Sequence, residues 1–154
     1  MNIEDMKGLL DAFDPASLLP ELDGILALLV TLARWAVMIG PAALVVLGLG
    51  YMFLAPREAN YYFGYRCFFG MGSEEAWRYT QRIAGLIWTA LGLVLTAVMF
   101  FVSRSFGALE PVQALPKALI CLLWEAGLIA VSCLVINTLA AVFFDAQGQR
   151  RRRR

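Results

Sequence analysis

Residues 83–102 read IAGLIWTALGLVLTAVMFFV, a stretch without one charged side chain, closed by Arg82 on one side and Ser103-Arg104 on the other. About 20 consecutive apolar residues is the length an α-helix needs to cross a hydrocarbon layer of about 30 Å. Upstream, Ser73 is placed to cap a helix whose first turn holds Glu74 and Glu75, where carboxylates meet the positive end of the helix dipole. The helix is therefore expected to start before the span it carries.

Two further apolar blocks flank this one, from Ile25 to Leu54 and from Ala118 to Phe144. The whole chain has 154 residues, of which 60% are hydrophobic and 16% charged, with a mean hydropathy of +0.69. An ordinary soluble domain is about 45–50% apolar and about 25% charged. Nearly all charges fall at or before Asp23, between Arg57 and Arg82, from Arg104 to Lys117, or after Phe144. The reading is an all-α integral membrane protein with three transmembrane helices over about 25–54, 83–102 and 118–144. Residues 1–24 form an extracytoplasmic amphipathic segment and residues 55–82 a motif-bearing cytoplasmic connection within the membrane domain 25–154.

Within the first segment, Ile3, Met6, Leu9, Leu10 and Phe13 recur at helical spacing after Asn2, which predicts a short amphipathic helix. No basic region precedes the first hydrophobic block, so a cleaved signal peptide is not expected and the first span stays in the protein. That block exceeds the minimum span, which predicts a tilt or bend; Gly40-Pro41 inside it marks a kink. The connection Ser103 to Lys117, with Gly107, Pro111 and Pro116, reads as a helix-to-helix turn.

Orientation follows from Lys and Arg near the span ends. The first connection holds Arg57, Arg66, Arg78 and Arg82, and the C-terminus holds Arg150 to Arg154; the opposite side holds Lys7, Arg104 and Lys117. The positive-inside rule puts the first connection and the C-terminus in the cytoplasm and the N-terminus outside.

Two charges break the pattern. Glu125, in ALICLLWEAGLIAVSCLVIN, is a carboxylate inside a span, and such groups face the bundle interior with a partner or carry a proton. Arg34 lies at a similar depth counted from the start of the first block, so an Arg34–Glu125 contact is expected. Asn137 lies about a third of a turn away from the face of Cys121, Glu125, Ser132 and Ile136. On the middle helix, Glu74, Arg78, Gln81 or Arg82, Gly85, Thr89, Gly92 and Thr96 share one face. This polar stripe turns into small residues, the pattern of a close helix seam with threonines bonding across it or, alternatively, of a lined polar path.

Catalysis finds little support. The chain has no histidine, and Cys67, Cys121 and Cys133 show neither CxxC nor Cys/His spacing, so they read as free thiols. No nucleophile and base set, metal-ligand cluster or phosphate loop is present, so no enzyme, cofactor, metal or direct nucleic-acid binding is expected.

The connection itself, residues 56–85, reads PREANYYFGYRCFFGMGSEEAWRYTQRIAG. Its order Asn60-x3-Gly64-Tyr65-Arg66, then Trp77, Arg82 and Ala84-Gly85, resembles the signature of the SdpI/YfhL family of small bacterial membrane proteins. It departs where that pattern continues with a threonine, then a serine, and often an asparagine before the tryptophan: here Cys67, Gly70 and Ser73 with Glu74 occupy the region. The resemblance implies a multi-pass protein of the bacterial plasma membrane acting in immunity or signalling. The family's namesake confers resistance to a secreted membrane-active toxin and relays its presence to a cytoplasmic repressor. The expected partners are then membrane lipid, a peptide toxin or envelope ligand, a cytoplasmic regulator and other copies of the chain. Docking is expected at Asn60, Gly64, Tyr65, Arg66, Trp77, Arg78, Arg82 and Gly85, unless Arg66 is a structural salt bridge and Tyr65 and Trp77 are membrane-interface anchors. The alternative is an oligomeric transporter or channel subunit that uses the intramembrane residues Arg34, Thr89, Thr96, Glu125 and Asn137.

Overall fold

The computed structural model describes residues 15–60 and 62–151, with side chains described from Leu22 onward. Three long helices carry the fold: α1 (Pro15–Phe53), α2 (Glu74–Ser105) and α3 (Pro111–Phe143). Each is long and apolar enough to cross a membrane. Among the described residues there is no β-strand, only an isolated bridge between Phe144 and Arg150.

The start of α2 follows its sequence: the Ser73 hydroxyl accepts from the Ala76 N–H at 3.1 Å, and Glu74 and Glu75 fill the first turn. Other boundaries differ. Residues 15–24 are continuous with the first span rather than a separate segment, while the short helix expected over Asn2–Phe13 lies outside the described residues. The helix also remains continuous through Gly40-Pro41. α3 starts at Pro111, not after Pro116-Lys117. Proline suits a first helical position because its missing N–H has no partner there in any helix. The connection from α2 accordingly shrinks to a 3₁₀ turn, Phe106–Ala108, and two further residues.

α1 and α2 run antiparallel and make the most extensive contact in the bundle. They touch along glycines: a Cβ on Gly48 would lie 2.5 Å from Thr89 Oγ1, and one on Gly92 would lie 2.8 Å from the Val45 nitrogen and 2.9 Å from the Pro41 carbonyl. Lipid is as apolar as a leucine side chain, so burial supplies no force between helices there, and close backbone approach of this kind does. α3 lies against both partners. At one end Val37, Met99, Phe106 and Ala118 form a core cluster; at the other end Tyr65, Ala84 and Ile136 do. Outward faces stay apolar, with Phe101 71% exposed and Trp124 68%. Water would penalise that surface, whereas hydrocarbon accepts it.

Candidate functional site

The connection between α1 and α2 is folded onto the end of the bundle. Asn60 begins it: its Oδ1 accepts from the backbone N–H groups of Tyr62 and Phe63, each at 2.9 Å, a side-chain turn that reverses the chain. Gly64 follows with φ of +130°, in the region glycine alone enters without strain. A Cβ there would also lie 2.7 Å from the Trp77 ring. Both constraints demand glycine.

Tyr65 is next, and the Gln81 amide grips its backbone from α2. Gln81 Oε1 accepts from the Tyr65 N–H at 2.7 Å, and Gln81 Nε2 donates to the Tyr65 carbonyl at 2.8 Å. The Tyr65 hydroxyl crosses to α3, donating toward Asn137 Oδ1 at 3.0 Å and the Cys133 carbonyl at 3.3 Å. Its ring stands edge-on to Trp88 at 5.5 Å, and Trp88 Nε1 donates to Ser132 Oγ at 3.1 Å. Trp77 is fully buried and donates Nε1–H to the Pro56 carbonyl at 2.8 Å. Burial pushes the Tyr65 phenol above its ordinary value, so it stays a neutral donor.

Asn60, Gly64, Tyr65 and Trp77 therefore hold the connection against the helices, and Gly85 meets α1, where a Cβ would lie 2.7 Å from the Gly48 carbonyl. Tyr65 and Trp77 are interior locks, not anchors at a membrane surface. Arg57, Arg66, Arg78 and Arg82 remain exposed around them. Arg78 pairs with Glu74 at 3.5 Å with both side chains more than half exposed, a geometry that contributes little stability. Arg57, Arg78 and Arg82 share a small polar recess with Tyr51 and Gln81.

The intramembrane residues do not assemble as expected. Glu125 is 4% exposed, and its Oε1 has no hydrogen-bond partner. It points at Gly40, where a Cβ would lie 3.0 Å from Oε2. Arg34 is six residues from Gly40, about 9 Å along the helix, and forms no ion pair with Glu125. Packing sets the level of the two helices: Val37 of α1 clusters with Ala118 of α3, and Glu125 comes level with Gly40 rather than Arg34. Thr89 and Thr96 line the interior as expected, yet their hydroxyls are buried without a partner and do not bond across the seam. Asn137 belongs to the Tyr65 lock.

One feature was not anticipated from the sequence. Residues 144–151 turn back and clasp the start of α2. Ser73 Oγ donates to the Gly148 carbonyl at 2.6 Å, Arg151 N–H donates to the Phe143 carbonyl at 2.8 Å, and Arg150 pairs with Glu75 at 3.8 Å. Asp145 Oδ1 organises the turn by accepting from the N–H groups of Gln147 and Gln149. Asp145 and Gly148 are turn residues, a signal that the neighbouring arginines obscured.

The segment that carries the locked tyrosine, the positive-φ glycine and the buried tryptophan lies within residues 57–144, which match the model of the SdpI/YfhL protein family. The chain belongs to the SdpI/YfhL family. The match covers more than half of the chain, from the connection to the end of α3, and leaves all of α1 outside it. Membership and three apolar helices make this a multi-pass membrane protein, and the family suggests a role of the immunity type. Comparison with curated proteins and with solved structures finds no match.

Proposed function

We propose that this SdpI/YfhL protein is a non-catalytic immunity or sensor protein of the bacterial plasma membrane. It meets a membrane-active toxin or envelope ligand at the bundle and presents its arginine-bearing connection to a cytoplasmic regulator. The observation that carries this reading is the Tyr65 lock. One residue is held by α2 through Gln81 and reaches α3 through Asn137, while exposed Arg66 is its neighbour in the chain. A shift of α3 against α2 changes the setting of Tyr65 and with it the basic face, which is what a relay requires. The test is expression in a toxin-sensitive strain challenged with a panel of membrane-active peptides. Protection that survives Arg66→Ala with Arg82→Ala, while the transcriptional response is lost, is the expected result. No protection or response across the panel would sink the proposal.

Glu125 favours a second reading. A buried carboxylate oxygen without a partner, in a bundle that also buries the unpartnered hydroxyls of Thr89 and Thr96, is suited to carrying a proton. An oligomer that moves protons would show flux in proteoliposomes that Glu125→Gln abolishes. Absence of flux in the unaltered protein excludes that role.

A further inference from the structure

At the end of the bundle away from the clamped connection, Thr31, Arg34, Trp35 and Met38 of α1 face Phe100, Ser103 and Arg104 of α2 across a groove of about 350 Å³. Its chemistry is divided. Trp35, Met38 and Phe100 supply its apolar lining, and Arg34 and Arg104 its two positive charges. The Arg104 guanidinium lies 5.5 Å from the centroid of the Phe100 ring, a contact that orients it without neutralising it. Neither arginine forms an ion pair with a carboxylate among the described residues, whose two ion pairs both lie at the other end. The hydroxyls are already committed: Thr31 Oγ1 donates to the Ala27 carbonyl at 2.9 Å and Ser103 Oγ to the Phe100 carbonyl at 3.0 Å. The guanidinium groups are thus the groove's strong donors, and they are suited to a phosphate that accepts from both.

Depth identifies the kind of phosphate. Arg34 lies 19 residues before Phe53, about 28 Å of helix, close to the thickness of a hydrocarbon layer. Arg104 lies 22 residues after Arg82, about 33 Å. With one end of the bundle at one membrane boundary, both arginines reach the headgroup level of the other. Trp35 is 64% exposed on the outside of the bundle, and a tryptophan at that depth is suited to the boundary between headgroups and acyl chains.

We infer that this groove is a binding site for one anionic phospholipid, with the headgroup phosphodiester held between Arg34 and Arg104 and an acyl chain lying along Trp35 and Met38. The site is independent of the proposed docking face, which lies at the opposite end.

The test uses the full chain in neutral detergent, titrated with phosphatidylglycerol or phosphatidylcholine and read by native mass spectrometry. One phosphatidylglycerol should be retained, with affinity at least tenfold above phosphatidylcholine. Arg34→Gln with Arg104→Gln should erase that preference, while Arg57→Gln with Arg82→Gln should leave it unchanged. A measurement on the chain with both arginines intact guards against misfolding of the double variant. Phosphatidylglycerol with brominated acyl chains should quench tryptophan emission more than brominated phosphatidylcholine at equal mole fraction, and Trp35→Phe should remove the difference. Glycerol phosphate alone should neither bind measurably nor compete. Equal retention or quenching by the two lipids, an unchanged preference in the Arg34/Arg104 double variant, or competition by glycerol phosphate would overturn the inference.

Discussion

Gln81 shows what a single side chain holds in this protein. Its amide satisfies both the N–H and the carbonyl of Tyr65 in a setting where Gln81 itself is 3% exposed. Gln81→Leu adds apolar surface yet leaves two buried backbone groups without partners, at about 1–3 kcal/mol each. The variant should unfold at distinctly lower temperature in detergent, and unchanged thermal stability would contradict the clamp. Gly64→Ala should be comparably harmful, because strain at positive φ costs about 1–3 kcal/mol and overpacking against Trp77 adds about as much. Tyr65 sets an alkaline limit. Its phenol is raised in the folded state, so the stability it contributes is complete below the unfolded phenol value near 10 and is lost as pH climbs above it. Thermal melts across that range should fall less steeply for Tyr65→Phe. The sequence revealed the glycine, tyrosine and tryptophan as a set, because their order is distinctive. It did not reveal Gln81 as their partner, since a glutamine on a helix face signals nothing until the chain folds back over it.

At the scale of helices, the contact between α1 and α2 depends on absent side chains. A Cβ on Gly92 would meet Val45 and Pro41 backbone atoms, which cannot rotate away, whereas a Cβ on Gly127 of α3 would meet nothing within 4 Å. Gly92→Ala should therefore lower thermal stability, by about 1–3 kcal/mol for overpacking, while Gly127→Ala should be neutral or mildly stabilising through helix propensity. Equal effects at the two positions would mean that the seam is looser than its geometry. The seam was legible as a stripe of Gly85, Thr89, Gly92 and Thr96 at helical spacing. The start of α3 was not, because Pro111 and Pro116 both punctuate the sequence and only tertiary packing selects between them. Depth along separate helices also leaves open which residues meet: Val37 packs with Ala118 and Glu125 comes level with Gly40, so the pairing with Arg34 failed while the burial of the carboxylate stood.

For the whole molecule, the decisive quantity is which end faces the cytoplasm. Arg57, Arg66, Arg78, Arg82, Arg150 and Arg151 gather at the end bearing the connection and the C-terminal clasp, against Arg34, Arg104 and Lys117 at the other. The rule that sorts topology counts lysines and arginines near span ends and gives acids little weight, so Glu58, Glu74, Glu75 and Asp145 do not cancel the imbalance. The clasp strengthens the count, since it ties Arg150 and Arg151 beside the start of α2 instead of leaving them at a distance. Replacing Cys67, Cys121 and Cys133 by serine gives a background for single cysteines at exposed Gln113 and Ala146. In intact cells a membrane-impermeant maleimide should label Gln113→Cys and spare Ala146→Cys until the membrane is opened. The reverse pattern would turn the molecule over, directing the arginine face outward and the groove of Arg34 and Arg104 to the inner leaflet. A regulator docked on the connection would then be impossible in the cytoplasm, whereas lipid binding in the groove would be unaffected, so this measurement separates the two proposals.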